Sequence, residues 1–180
     1  MLILASSSPR RKQLLKKITK SFTVVEPKVN EREYQFSPFN YALELSRLKA
    51  YEVSSRYPNE PILACDTVVI LDNEIINKPK DDQDAKRILK LLSNKTHLVI
   101  SGYTYINKKK EINRQVITKV TFNKLSNELI NEYVKKGYAK GKAGAYGIQD
   151  PFEIVKTIEG SYDNVMGLPT EDIRHFIKIK

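Results

Sequence analysis

The stretch Ser6-Ser7-Ser8-Pro9-Arg10-Arg11 sets three hydroxyls and two guanidiniums between a short apolar run and the start of a helix. That density of donors suits an anion, phosphate above all, because a helix N-terminus adds backbone N–H groups and the positive end of its dipole. The same spacing also suits a capped helix with two arginines in solvent. No G-x-x-x-x-G-K-[ST] run occurs, so the loop is not a nucleotide P-loop. A second chemical signal is Asp66, the one acid in the apolar run ILACDTVVIL. A carboxylate there is costly to desolvate unless it meets a cation, a metal or hydrogen-bond donors, and at a strand's end it would face a site. Glu31 and Glu33, in a polar turn, could join it as hard oxygen ligands for Mg²⁺ or Mn²⁺, although alone they read as surface charge. Lys78-Pro79 could aim a further cation at the same place. Lys49, inside a helical stretch, suits either a phosphate ligand or a snorkelling edge residue. The glycine-bearing run KAGAYGIQ suits a plain glycine-rich turn, or a loop in which Gln149 uses an amide that can donate and accept together to match the edge of a nucleobase. Phosphate donors, metal-capable carboxylates, extra cations and an amide reader together suggest nucleotide hydrolysis.

These residues need a scaffold, and the pattern predicts one in which strands and helices alternate. Residues 2–5 read as a buried strand, and Ser8 with Pro9 opens a helix whose apolar face is Leu14, Leu15 and Ile18. A strand follows at Ser21–Pro27, then a long amphipathic helix over about Pro38–Arg56, closed by Pro58 and Pro61. Ile62–Leu71 reads as a central strand turning at Asp72-Asn73 into a short one at Glu74–Asn77. A helix is expected over about Gln83–Leu92. Thr96–Ile106 and Glu111–Phe122 form a hairpin across NKKK, and Leu125-Ser126 starts a helix running to about Lys136. GKAGAYGIQD reads as a loop, FEIVKTIEGSY as the last strand, and Thr170 as the cap of a C-terminal helix ending near Ile179. The expectation is an α/β fold with a mixed sheet, one domain over residues 1–180.

Bulk properties narrow the classes. A chain of 180 residues that is 41% hydrophobic and 29% charged can bury a core and is far from disorder. No segment has the length of a membrane span or the layout of a signal peptide, so a cytoplasmic location is expected. The single Cys65 cannot form an internal disulfide, and His97 and His175 stand too far apart in sequence for zinc-ligand spacing. The net charge of +10 fits nucleic acid, an acidic substrate or a lysine-rich surface, but the lysines are scattered among acids and no nucleic-acid-reading motif is present.

ASSSPRRKQLL, CDTVVILDNEIINKP, DAKRILKLLSNKTHLVISG, KAGAYGIQ and GSYDNVMGLP, in this order along nearly the whole chain, resemble the Maf family of nucleoside triphosphate pyrophosphatases. The resemblance implies a two-lobed α/β fold related to inosine triphosphatases, with a mixed sheet, flanking helices and a central cleft. It also implies a divalent cation (Mg²⁺ or Mn²⁺), often a homodimer, and a link to septum formation, while the scattered charge and the lack of a spanning segment lead to the expectation of no nucleic-acid or membrane partner. By match to the family's motifs, Asp66 is the proton acceptor and a metal ligand with Glu31. Ser6, Arg11, Lys49 and Lys78 hold the triphosphate. Arg10, Thr67 and Gln149 match the branch acting on dTTP and UTP; a branch specific for 7-methyl-GTP has a carboxylate in place of the glutamine. One departure is Asp150, where the family usually has Gly, followed by a short loop to Phe152. The alternatives carried beside this reading are a basic nucleic-acid-binding protein without catalysis, a pyrophosphatase preferring 7-methyl-GTP, and a phosphatase acting on sugar phosphates, which would release orthophosphate.

Overall fold

The computed structural model describes residues 1–108 and 110–178. Strand β1 (Leu2–Ala5), buried throughout, pairs in parallel with β2 (Phe22–Val25) on one side and β3 (Ile62–Leu71) on the other. Parallel neighbours need crossovers, which here carry helix α1 (Pro9–Leu15) and helix α2 (Pro38–Arg56). α1 starts as its sequence dictates: the Ser8 hydroxyl accepts from the Arg11 N–H, and Pro9 stands in the first turn. β4 (Glu74–Ile76) folds back on the end of β3 through Asp72 and Asn73, both at positive φ.

Beyond them, helix α3 (Asp82–Leu92) precedes a long hairpin of β5 (Thr96–Asn107) and β6 (Lys110–Phe122). Helix α4 (Asn127–Lys135), strand β7 (Val155–Glu159) and helices α5 (Tyr162–Met166) and α6 (Thr170–Phe176) complete the chain. The result is a seven-stranded mixed sheet in the order β2-β1-β3-β5-β6-β7, with β4 on the end of β3.

The burial of β3 explains why this sheet carries a cleft. Its ten residues are buried except for the central pair, Asp66 and Thr67, which are half-buried. Ile62 and Ala64 pack under α2 with Ala50 and Val53, while Leu63 and Cys65 join Leu14, Leu15 and Leu168 on the opposite face. Past the break, Val69 and Leu71 belong to another core with α3, α4 and Phe122. Two apolar bodies thus share one strand, and the polar gap between them lies at residues 66–67. Buried Leu or Val side chains contribute about 1.5–3 kcal/mol each, so neither body closes over the gap without desolvating Asp66.

α2 crosses this gap at unusually close range. Gly102 on β5 lies directly opposite Asp66 in the ladder, and a Cβ there would sit 2.3 Å from the backbone of Leu43. Only glycine lets the helix lie so close to the sheet.

Several expectations are corrected. Asp66 sits in the middle of a ten-residue strand and not at its end. The expected last strand, Phe152–Tyr162, is strand only over Val155–Glu159, and its final residue Tyr162 instead opens helix α5, with Ser161 as the cap. Thr170 is the first residue of α6, not its cap, and its hydroxyl donates to Asp163. α6 ends at Phe176; the expected end near Ile179 lies outside the described residues. β2 is shorter than expected because the alternation at its ends does not find ladder partners beyond Phe22–Val25.

Candidate active site

A cleft of about 740 Å³ opens over residues 66–67, within the range of small-molecule sites. Ser6, Arg10, Arg11, Glu31, Lys49, Asp66, Thr67, Lys78 and Gln149 all line it.

On the α2 face of the sheet, Lys49 is held between two carboxylates. Its Nζ lies 2.7 Å from Asp66 Oδ1 and 2.7 Å from Glu31 Oε1. The side chain of Lys49 is only 9% exposed, so the two acids compensate a cation that burial would otherwise penalise. Glu31 sits in a 3₁₀ turn (Glu31–Glu33) after β2. Burial works against its charged form, but Lys49 at hydrogen-bond distance, helped by Lys78 and Arg11, outweighs that and holds its carboxyl below the usual range. Asp66 Oδ2 has no hydrogen-bond partner among the described residues. Tyr41, one turn into α2, adds a phenol to the same wall; burial and the charges of Glu31 and Asp66 push its pKa up, so it stays protonated.

On the opposite face, Arg11 ties three elements together. Nε donates to Gly167 O at 2.9 Å, one terminal nitrogen to Thr67 Oγ1 at 3.2 Å and the other to Ser6 Oγ at 3.4 Å. Gly167 ends α5 at φ 117°, a conformation that glycine alone adopts cheaply, and this turns its carbonyl toward Arg11. Thr67 Oγ1 also lies 2.8 Å from Ser101 Oγ, which donates to Asn164 O. Part of the Arg11 donor set therefore builds the site, and the rest is left for a ligand.

The serine loop differs from its expectation in the same way. The Ser8 N–H donates to Ser6 Oγ at 3.2 Å and the Arg11 N–H to Ser8 Oγ at 3.5 Å, so two of its hydroxyls serve its own backbone. Arg10 is half-buried at the rim; burial and the neighbouring Arg11 lower its pKa, while Asp150 and Tyr133 oppose the shift. Lys78 and Gln149 are exposed where they line the cleft, Lys78 within electrostatic reach of Glu31.

The metal expectation can be tested on the donors present. No group of three or more His, Cys, Asp or Glu side chains converges among the described residues. Two carboxylates do, through Lys49, and each keeps one oxygen without a protein partner among the described residues. That donor set fits Mg²⁺, which takes one or two carboxylates and completes its shell with water and substrate phosphates.

Sequence reasoning missed Tyr41, Ser101, Gly102 and Gly167. The last two stand inside recognisable motifs, but nothing in a linear pattern says that one admits a helix and the other turns a carbonyl onto Arg11.

Comparison with known proteins now adds to this geometry. The family described as Maf-like protein matches residues 1–179. A Pyrococcus abyssi (strain GE5 / Orsay) protein named dTTP/UTP pyrophosphatase is 44% identical over 180 residues, 99% of this chain and 96% of that one. One of the same name from Carboxydothermus hydrogenoformans is 43% identical over 169 residues, 92% of this chain and 91% of its own. Among solved structures, the Staphylococcus aureus Ham1 protein aligns with 68% of this chain and 72% of its own at a TM-score of 0.47 and 13% identity, a likeness too distant to carry an argument.

Proposed function

The chain belongs to the Maf family, and from that premise we propose that it hydrolyses nucleoside triphosphates, dTTP and UTP foremost, to the monophosphate and pyrophosphate. The observation that carries the reading is the Asp66–Lys49–Glu31 cluster at the polar break of β3, inside a cleft otherwise walled by Ser6, Arg11 and Lys78. Lys49 holds Asp66 Oδ1 and so turns Oδ2 free to take a proton from water attacking in line at the α-phosphorus. Ser6, the remaining donors of Arg11, and Lys78 hold the triphosphate and place positive charge where the leaving pyrophosphate gains negative charge. Glu31 and Asp66 would hold Mg²⁺ or Mn²⁺, which when bound supplies charge neutralisation to the phosphates. Arg10, Thr67 and Gln149 set base preference, Gln149 matching the carbonyl and N3–H edge shared by thymine and uracil. The resemblance further supports one domain over residues 1–180 and a homodimer, and the scattering of its lysines among acids supports a protein without a nucleic-acid partner, placed by this reading in the cytoplasm. Among the described residues no helix is long and apolar enough to cross a membrane.

The test is product analysis by ion-exchange chromatography after incubation with Mg²⁺ or Mn²⁺ and dTTP, UTP, CTP, ATP, GTP and 7-methyl-GTP separately. Monophosphate and pyrophosphate from dTTP and UTP are expected. Preference for 7-methyl-GTP would overturn the roles of Arg10, Thr67 and Gln149, release of orthophosphate would overturn the bond assignment, and no cleavage at all would overturn the activity.

A further inference from the structure

Gln149 has a weakness as a base reader: its side chain is exposed and finds no hydrogen-bond partner among the described residues. Its amide is therefore aimed only by the backbone that carries it. The next residue, Asp150, is anchored far more firmly. Its carboxylate is 7% exposed and accepts from Lys142 Nζ at 2.6 Å and from the Tyr133 hydroxyl. That hydroxyl in turn accepts the Gly147 N–H at 3.0 Å. Burial and the Asp150 charge both push the Tyr133 pKa up, so the phenol remains a donor. Backbone bonds reinforce the closure, since the Asp150 N–H donates to Gly147 O and its carbonyl accepts from Phe152 N–H. The space is filled to contact: a Cβ on Gly147 would meet both Asp150 Oδ2 and Lys142 Nζ at 2.7 Å. The base of the brace is rigid as well, with Tyr133 packed edge-on against Phe152 at 5.1 Å between centroids. Lys142 and Asp150 thus pin both ends of the loop that carries Gln149, and Asp150 and Tyr133 lie within electrostatic reach of Arg10 at the rim of the cleft.

We propose that Asp150 is a positioning residue for base selection: clamped by Lys142 and Tyr133, it fixes the 142–150 loop so that Gln149 is held in the cleft wall that Arg10 also lines. The inference rests on the nucleotide-hydrolysing reading above. It makes the carboxylate next to the base reader a structural counter-charge and not itself a base ligand, because that carboxylate is nearly buried, is held by Lys142 and Tyr133, and does not line the cleft.

The test compares Asp150→Asn and Tyr133→Phe with the unaltered chain on dTTP, CTP and 1,2-dideoxyribose 5′-triphosphate, which has no base. For dTTP, kcat/KM should fall about 10–30-fold in Asp150→Asn, mainly through KM, and the preference for dTTP over CTP should narrow. Turnover of the baseless triphosphate should change less than about threefold. Tyr133→Phe, which keeps the ring packing, should shift preference in the same direction by less, and it carries the test if Asp150→Asn does not melt cooperatively. Equal losses on dTTP and the baseless substrate, or an unchanged dTTP to CTP ratio, would overturn the proposal. An unaltered chain that releases no pyrophosphate from any nucleotide overturns the functional reading, and the proposal with it, before any substitution is made.

Discussion

Replacing Gly102 by Ala adds one methyl group at the tightest point between α2 and the sheet. Its Cβ would fall 2.3 Å from Leu43 Cα and N and 2.5 Å from the carbonyl carbon of Ala42. Ordinary carbon contacts begin near 3.5 Å, so helix and strand must part by roughly 1 Å, and the obstacle is backbone that cannot rotate away. Overpacking of this kind costs about 1–3 kcal/mol, which for a domain of this size lowers Tm by roughly 3–10 °C. The larger effect should be on catalysis. α2 carries Lys49, whose 2.7 Å contacts to Asp66 and Glu31 span the same gap, and Asp66 is the ladder partner of Gly102. A displacement near 1 Å at reacting groups costs on the order of 10²-fold in turnover. The assay is pyrophosphate release from dTTP beside thermal denaturation, with Ser46→Ala as control. Ser46 bonds Thr104 across the same helix–strand contact at 2.9 Å, so its loss removes about 1–3 kcal/mol of stability without adding volume. A Gly102→Ala chain that melts lower yet keeps kcat/KM within about threefold of the parent would refute the link between helix spacing and the Lys49 cluster; an unchanged Tm would refute the close approach itself.

Asp66→Asn should lower pyrophosphate release by about 10²–10³-fold while the protein still melts cooperatively; near-normal turnover would remove Asp66 from the mechanism. Gln149→Glu should weaken dTTP and UTP cleavage relative to other nucleotides, and an unchanged preference would end the base-reading role. His97 is buried against Phe122 and Tyr146, and burial lowers its pKa from 6.5 to about 4. The unfolded chain therefore binds this proton first, and stability from this group is full above pH 6.5 and lost between about pH 6.5 and 4, by ~3 kcal/mol. Denaturation profiles of the parent and His97→Gln over that window should diverge toward acid pH, whereas parallel profiles would show that His97 does not titrate as described.

Much of the scaffold was legible because its signals are local. A serine before Pro9, the apolar residues of Ile62–Leu71 on either side of Asp66 and Thr67, and the helical spacing of Ala85, Ile88 and Leu92 in α3 each report their element within a dozen or so residues. Asp66 was legible for the same reason, as a charge where neighbours on both sides are apolar. α5 was not: five residues carry too little periodicity to distinguish a helical turn from a strand's frayed end, and the Ser161 cap with packing against β5, β6, α1 and α6 holds it.

The partners of each charged group were beyond local reading. Two of the anion loop's three hydroxyls accept from its own backbone, and Arg11 reaches Gly167, 156 positions away, because β1 and β3 are neighbours in the sheet and α5 ends beside them. Lys49 could equally have snorkelled; it is buried because the strand order brings Asp66 beneath it and the β2–α2 connection brings Glu31 over it. Asp150 reads in the sequence as a substitution beside a specificity residue, and becomes a brace only once α4 places Tyr133 against the loop. Residue types and spacing thus determined which groups were available for nucleotide chemistry and which strands and helices carry them. Strand order and helix docking decided which charges neutralise one another and which remain for a ligand, because an ion pair depends on a distance of a few ångströms that no separation along the chain encodes.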